Sequence, residues 1–448
     1  MKLPNLTEWY KINKNSGEFM DKIISLKNYK PRIIDKTLDR YLKIFGGLCI
    51  EGPKWCGKTW TSSFHSNSEI LIGDPTNNFQ NKRLAELSPD KVLAGETPRL
   101  IDEWQEVETI WDATRYEIDK RNKKGQFILT GSSTPKTKGI IHSGIGRIAR
   151  IRMSTMSLFE TGDSSGAVSL KDLFSVNDIG VKTVNSLTID DIAYFVCRGG
   201  WPNNIGVSKE DSLLIPNSYI NTLLEDDVYK LDNKFYDTHK MSLLLRSLAR
   251  NESTTIRHSK LIDDIKENEK EKIDEDTLIT YLDVFKRLFL IDNQVPFSPG
   301  LRSKLRIKQS EKRHFCDVSL AASLLKATPD KLINDLETLG FLFESLVEHD
   351  LKIYANAIDA NLYHYQDYNN YEIDAVIELN NGDWGAFEIK LGSNQIDDAA
   401  KNLIKIKNSI INNKGKVPIL LCIIVGLGNA AYKREDGVYV VPINALKD

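Results

Sequence analysis

The chain has 448 residues, 27% of them charged, with 60 Lys and Arg against 62 Asp and Glu for a formal net charge of −2. That length exceeds one ordinary hydrophobic core and predicts a multidomain protein. The charge balance excludes a global field driving the chain onto nucleic acid or an anionic membrane, so any such partner must be met by a local patch.

Residues 1–45 read as a charged, mostly helical segment, and Met1-Lys2-Leu3-Pro4-Asn5 opens no apolar leader. From 46 to 160, short apolar runs (Leu48-Cys49-Ile50, Ile70-Leu71-Ile72, Arg99-Leu100-Ile101, Phe127-Ile128-Leu129, Ile148 to Ile151) alternate with amphipathic stretches. That alternation predicts a parallel sheet. Residues 161–330 turn helical, with apolar residues every three or four positions in Tyr219 to Val228 and Met241 to Arg250. Within them a helix from Asp276 runs into a short strand near Ile291 and then the Pro296 to Gly300 turn, an order compatible with a winged helix. Residues 331–448 form a second α/β domain, with a helix through Phe341 to Leu351 and strands at Leu362 to Tyr365, Ile373 to Leu379, Trp384 to Ile389, Ile419 to Val425 and Val438 to Val441.

No apolar run approaches the roughly 18 residues of a membrane helix, so no membrane is expected. Cys49, Cys56, Cys197, Cys316 and Cys422 lie far apart with no C-x-x-C pair, which fits a reducing cytoplasm better than a disulfide framework or a zinc site.

Chemistry concentrates first at Gly52-Pro53-Lys54-Trp55-Cys56-Gly57-Lys58-Thr59, which matches G-x-x-x-x-G-K-[ST] between an apolar strand and a helical stretch. Glycines let the backbone curl its N–H groups around a β-phosphate at the positive end of the next helix. Lys58 would neutralise β/γ-phosphate charge, Thr59 would ligate Mg²⁺, and Trp60 closes the nucleotide contact set. At the end of the third run, Asp102 can hold the Mg²⁺ shell and Glu103 can polarise the attacking water; a solvent-facing acidic turn is the alternative. Thr130, ending the fourth run, would orient water. Arg147 or Arg150 could stabilise charge on the transferred phosphoryl group, in cis or across a subunit boundary of a homo-oligomer; a structural ion pair is the other reading.

Farther on, Asp374 and Glu388 lie on two strand-like segments joined by Asn380-Asn381-Gly382-Asp383. Both are hard oxygen ligands for a divalent ion, and Lys390 shares a strand face with Glu388. D-x13-E-x-K has the form of PD-(D/E)xK nucleases, with Glu344 of the preceding helix completing the set. By spacing alone, the solvated face of a sheet is the better reading. Between Lys286 and Arg313 stand eight Lys or Arg against Asp292 and Glu311, a stripe suited either to phosphate-backbone contact by a wing or to an ion-paired protein surface.

Taken in order, these motifs resemble the prokaryotic AAA-type ATPases that carry a C-terminal domain of unknown function, DUF4143. The likeness also rests on Tyr29-Lys30-Pro31-Arg32, the Gly146-Arg147 pair, Met156 to Glu160, Gly199-Gly200-Trp201-Pro202, Leu248 to Asn251 and Phe315 to Leu320. It implies a P-loop NTPase domain with an AAA-type parallel sheet, a helical, winged-helix-like middle and a nuclease-like C-terminal fold. The expected activity is Mg²⁺-dependent ATP hydrolysis coupled to double-stranded DNA. Two other readings stay open: a slow nucleotide-gated switch whose C-terminal fold only binds DNA or a partner protein, and a working nuclease gated by ATP.

Overall fold

The computed structural model describes residues 29–134, 143–175, 178–232, 234–299 and 307–448. The helix expected within 1–28, and Arg302, Lys304 and Arg306 of the basic segment, lie outside the described residues. The chain divides into two compact units, one ending at Ser154 and the other beginning at Thr155.

In the first unit, α1 (Asp35–Leu42) leads into β1 (Gly47–Glu51), α2 (Lys58–His65), β2 (Ser68–Leu71), β3 (Arg99–Asp102), α3 (Thr109–Arg121), β4 (Phe127–Gly131) and β5 (Ile148–Arg152). The five strands pair in parallel in the order β2-β3-β4-β1-β5. A parallel sheet is covered on both faces, and the strand residues alternate accordingly. Cys49, Ile101, Phe127 and Leu129 enter one apolar cluster with Trp104 and Trp111, while Leu48, Ile50, Leu100 and Ile128 enter another with Leu38 and Met153. Each apolar run read from the sequence is one of these strands. β4 is inserted between β1 and β3, so three polar strand ends stand side by side along one edge.

The second unit contains helices that include α4 (Ile189–Arg198), α5 (Thr238–Arg250), α6 (Glu275–Arg287) and α7 (Leu336–Ala357), and a seven-stranded mixed sheet. Before that sheet, β6 (Val168–Ser169) pairs with the terminal strand at Leu446–Lys447, and β7 (Lys182–Thr183) joins the sheet's edge. The remaining strands are β8 (Asn361–Gln366), β9 (Glu372–Glu378), β10 (Trp384–Lys390), β11 (Leu420–Val425), β12 (Ala430–Lys433) and β13 (Tyr439–Pro442), in the order β7-β12-β13-β11-β10-β9-β8. β8, β9 and β10 are antiparallel neighbours, whereas β10 and β11 are parallel and joined by the amphipathic α8 (Ile396–Asn412). Such a crossover is what a parallel pair needs. Leu403, Ile406 and Ile410 of α8 pack on Trp384, Ala386, Leu421 and Ile423.

Behind α6 the chain is extended, and antiparallel bridges join Ile291 to Phe315 and Gln294 to Lys312. Further bridges, Pro296 with His364 and Ile307 with Asp367, tie these segments to β8 and the residue following it. This changes the expected basic stripe. Lys312 and Arg313 are buried, and Arg287 is ion-paired with Asp283, so the described part of the segment offers fewer surface cations than its composition suggests.

Candidate functional site

In the first unit, Gly52 and Gly57 take φ of 158° and 104°, and a Cβ on Gly52 would stand 2.1 Å from the Met153 carbonyl oxygen. Only glycine fits such a combination of conformation and close approach. Both glycines lie in the loop between β1 and α2. Lys58 is buried, its ammonium donating to the carbonyl oxygens of Gly52 at 2.9 Å and Pro53 at 2.8 Å. Those bonds hold a cation inside an otherwise N–H-lined loop. Trp55, with φ of 62°, and Trp60 are exposed beside it, whereas Cys56 faces the core under Met153.

Asp102, Thr130 and Glu103 converge at the adjoining strand ends. The Thr130 hydroxyl donates to Asp102 Oδ1 at 2.6 Å and accepts the Glu103 backbone N–H at 3.0 Å. One side chain thus fixes both carboxylate-bearing residues. Burial, reinforced by the Glu103 charge, pushes the Asp102 carboxyl up to about 6 against bonds from the Thr130 and Thr59 hydroxyls. Glu103 itself sits in the left-handed region with φ of 56°, and its carboxylate accepts from Ser132 Oγ at 2.7 Å and from the Gln105 amide.

The donor set fits Mg²⁺: a threonine hydroxyl and a carboxylate already meet, Thr59 to Asp102, at the mouth of a phosphate-shaped loop. A pH dependence follows from the raised carboxyl. With Asp102 as a Mg²⁺ ligand, affinity for Mg·ATP would fall as pH drops through about 6, because the protonated carboxyl would have to give up its proton to bind the ion. Calorimetric titration from pH 5 to 8 would show it, and Asp102→Asn should erase that component while the phosphate's own titration, common to both proteins, remains.

Arg147 is not brought to this edge. It precedes β5, and the parallel register pairs Ile148 with Gly47 at the start of β1, so Arg147 lies at the opposite end of the sheet, bonded to Asp119 at 2.9 Å. Arg150 is ion-paired with Glu51 and stacked over Trp111, 4.3 Å from the ring centroid. Arg152, in register with Glu51, is the β5 arginine at the loop edge.

Sequence reasoning missed Arg32 as a support of the loop. Its buried guanidinium donates to the Cys56 carbonyl at 2.8 Å and to that of Ser154 at 2.9 Å, while its backbone N–H donates to Asp35 at 2.8 Å. Asp35 also accepts from Tyr29 at 2.7 Å and stands 3.0 Å from His65 on α2; Tyr29 stacks on Phe64 at 4.4 Å. Burial alone would depress the His65 pKa, but bonds to Asp35 and Asp39 outweigh it and raise it. The polar Tyr29-Lys30-Pro31-Arg32 ahead of an apolar helix face was the available signal.

In the second unit, Glu344 of α7, Asp374 of β9, and Glu388 and Lys390 of β10 are brought together. Lys390 Nζ lies 3.2 Å from Asp374 and 2.7 Å from Glu388, the Ile389 N–H donates to Asp374 at 2.8 Å, and Asn402 donates to Glu388 at 2.8 Å. Four residues join that the spacing did not show: Lys312, His314, Glu348 and Glu252. Lys312 Nζ lies 2.5 Å from Glu344 and 3.0 Å from Glu348, and His314 lies 2.6 Å from the other oxygen of Glu348 and 3.3 Å from Glu252. Burial, with Asp374 and Glu348 nearby, pushes Glu344 up to about 8 despite Lys312; burial and the Asp374 charge push Glu388 up to about 7. Asp374 and Glu348 are held below their usual range, because Lys390 and Lys312 for the first, and His314 and Lys312 for the second, outweigh burial. Burial works against the His314 imidazolium too, yet Glu348 and Glu252 carry it to about 10.

Comparison with known proteins gives three family matches in chain order: an AAA domain over residues 46–162, a domain of unknown function, DUF8612, over 189–331, and another, DUF4143, over 339–446. Uncharacterised proteins of Mycobacterium bovis and Mycobacterium tuberculosis are each 24% identical over 348 residues, covering 77% of this chain and 70% of the relative. Among solved structures, a Walker-type ATPase of Pyrococcus abyssi overlaps with a TM-score of 0.40 at 13% identity, covering 67% of this chain and 100% of its own. The Hef helicase domain of Pyrococcus furiosus overlaps with a TM-score of 0.19 at 10% identity, covering 93% and 95%. Among the described residues, no helix is long and apolar enough to cross a membrane.

Proposed function

We propose that this chain, in which an AAA domain over residues 46–162 precedes a C-terminal DUF4143 domain over 339–446, hydrolyses ATP with Mg²⁺ at the β1–α2 loop and couples the cycle to double-stranded DNA. The observation that carries the catalytic part is the convergence of Lys58, Thr59, Asp102, Glu103 and Thr130 at three neighbouring strand ends.

The loop's N–H groups, those of residues 54 to 58 since Pro53 has none, enclose the β-phosphate at the start of α2. Lys58 exchanges the Gly52 and Pro53 carbonyls for β- and γ-phosphate oxygens. Thr59 and Asp102 would hold Mg²⁺, which would supply charge neutralisation for the transferred phosphoryl group. Glu103 accepts the proton of the attacking water, and Thr130 keeps the Glu103 backbone in register with Asp102. Arg152 stands at the correct edge of the sheet to steady the γ-phosphoryl oxygens, whereas Arg147 would serve only a neighbouring copy in a homo-oligomer. DNA is the proposed partner because Lys286 and Lys308 keep some solvent exposure in a segment rich in Lys and Arg.

A second reading, a slow nucleotide-gated switch, is favoured by one observation: the Glu103 carboxylate is held by Ser132 and Gln105 and must be released before it can act on water. Steady-state turnover of wild type and Lys58→Ala, with Mg²⁺ and with or without double-stranded DNA, separates the two. DNA-stimulated turnover lost in the variant supports the coupled enzyme. Tight ATP binding with negligible turnover under every condition supports the switch.

A further inference from the structure

The acidic cluster of the second unit has the outline of a divalent-metal site, yet its residues do not fit one. Its centre is filled by an amine. Lys312 is wholly buried, and its backbone is pinned by two bonds of 2.9 Å with Gln294, one in each direction. From that anchored position Nζ has three acceptors: Glu344 Oε1 at 2.5 Å, Glu348 Oε1 at 3.0 Å and the Asp374 backbone carbonyl at 3.2 Å. An ammonium has three protons to give, and all three are used. Two carboxylates and a peptide carbonyl are the oxygen donors a hard cation would take.

Several of the surrounding oxygens already face a donor or a cation. The second oxygen of Glu348 faces His314, Asp374 Oδ2 receives both Lys390 and the Ile389 N–H, and Glu388 is shared between Lys390 and Asn402. Among the described residues, no three His, Cys, Asp or Glu are arranged to hold a metal ion.

We propose that the Lys312 ammonium is the resident cation of this cluster, standing where a divalent ion would sit, and that the C-terminal domain is thereby locked in a metal-free, non-cleaving form. Deleting the amine leaves an oxygen-lined space beside the Glu348 carboxylate, which a divalent ion then fills, displacing the proton that Glu344 carries there. The inference is independent of ATP chemistry in the first unit.

The test is Mn²⁺ binding to the full chain without nucleotide, followed by electron paramagnetic resonance of the free ion, for wild type, Glu344→Gln, Asp374→Asn, Lys312→Ala and the double variant Lys312→Ala/Glu348→Gln. Wild type should bind no Mn²⁺ that Glu344→Gln or Asp374→Asn removes. Lys312→Ala should gain one site at least about tenfold tighter than any in wild type, lost again in the double variant, and its thermal midpoint should rise with Mn²⁺. Stoichiometric binding to wild type that disappears in Asp374→Asn would overturn the proposal, because the ion would then displace the lysine. So would a folded Lys312→Ala that gains no site. Should Lys312→Ala fail to fold, the comparison of wild type with Glu344→Gln and Asp374→Asn decides alone.

Discussion

Glu103→Gln is expected to lower ATP turnover by about 10²- to 10³-fold while leaving Mg·ATP affinity within about twofold of wild type. Glutamine keeps the shape and can still accept from Ser132, so the strand end and its neighbours stay in place. What it loses is the basicity needed to take the water's proton. A fall in kcat with unchanged affinity is the signature of an interaction made only in the transition state. The contrast is Lys58→Ala, where affinity itself should collapse because the loop loses its one buried ammonium. Ser132→Ala sharpens the point: it removes the 2.7 Å bond that holds the Glu103 carboxylate, and turnover should rise if that bond restrains catalysis. Undiminished turnover in Glu103→Gln would remove Glu103 from the mechanism and leave water activation to another group.

The five strands of the first unit were legible because a parallel sheet writes itself as short apolar runs, and the loop glycines because no other residue tolerates the backbone there. Thr130 was legible for a related reason: it follows an apolar run, and residues that follow parallel strands share one edge. The same rule places Arg147, which precedes its run, at the opposite edge. What could not be read was pairing over long separations. Ser132 and Gln105 look like ordinary loop polar residues until β4 is set beside β3, and Arg32 shows its role only when α1 lies against α2. In the second unit spacing singled out Asp374, Glu388 and Lys390 but by itself favoured the solvated face of a sheet, whereas Lys312 was counted into a surface stripe. A signal did exist: Glu344 and Glu348 are four apart on a helix whose neighbouring positions, Leu342, Phe343, Leu346 and Val347, are apolar and buried. Acids on such a face require buried cations, and Lys312 and His314, two apart on extended chain, share one face.

That pairing sets the second large effect. Lys312→Met is expected to destabilise the second unit by about 3–5 kcal/mol at pH 8, since removing one partner of a buried ionic cluster leaves the others uncompensated. Packing is nearly conserved, so the loss is electrostatic rather than a cavity. The penalty should also depend on pH. In the wild type the Glu344 carboxyl sits at about 8 in the folded chain, above its ordinary 4.5. Its contribution to stability is therefore fully present below about pH 4.5 and is lost as pH rises through about 8. Without the Lys312 charge that opposes this shift, the carboxyl rises further, and protonation compensates the variant more completely as pH falls. Chemical denaturation should accordingly show the gap between Lys312→Met and wild type widening from pH 6 to pH 9. A gap that stays constant, or narrows, across that range would mean that Lys312 is held by packing and that the carboxylates are already neutralised by His314 and Lys390.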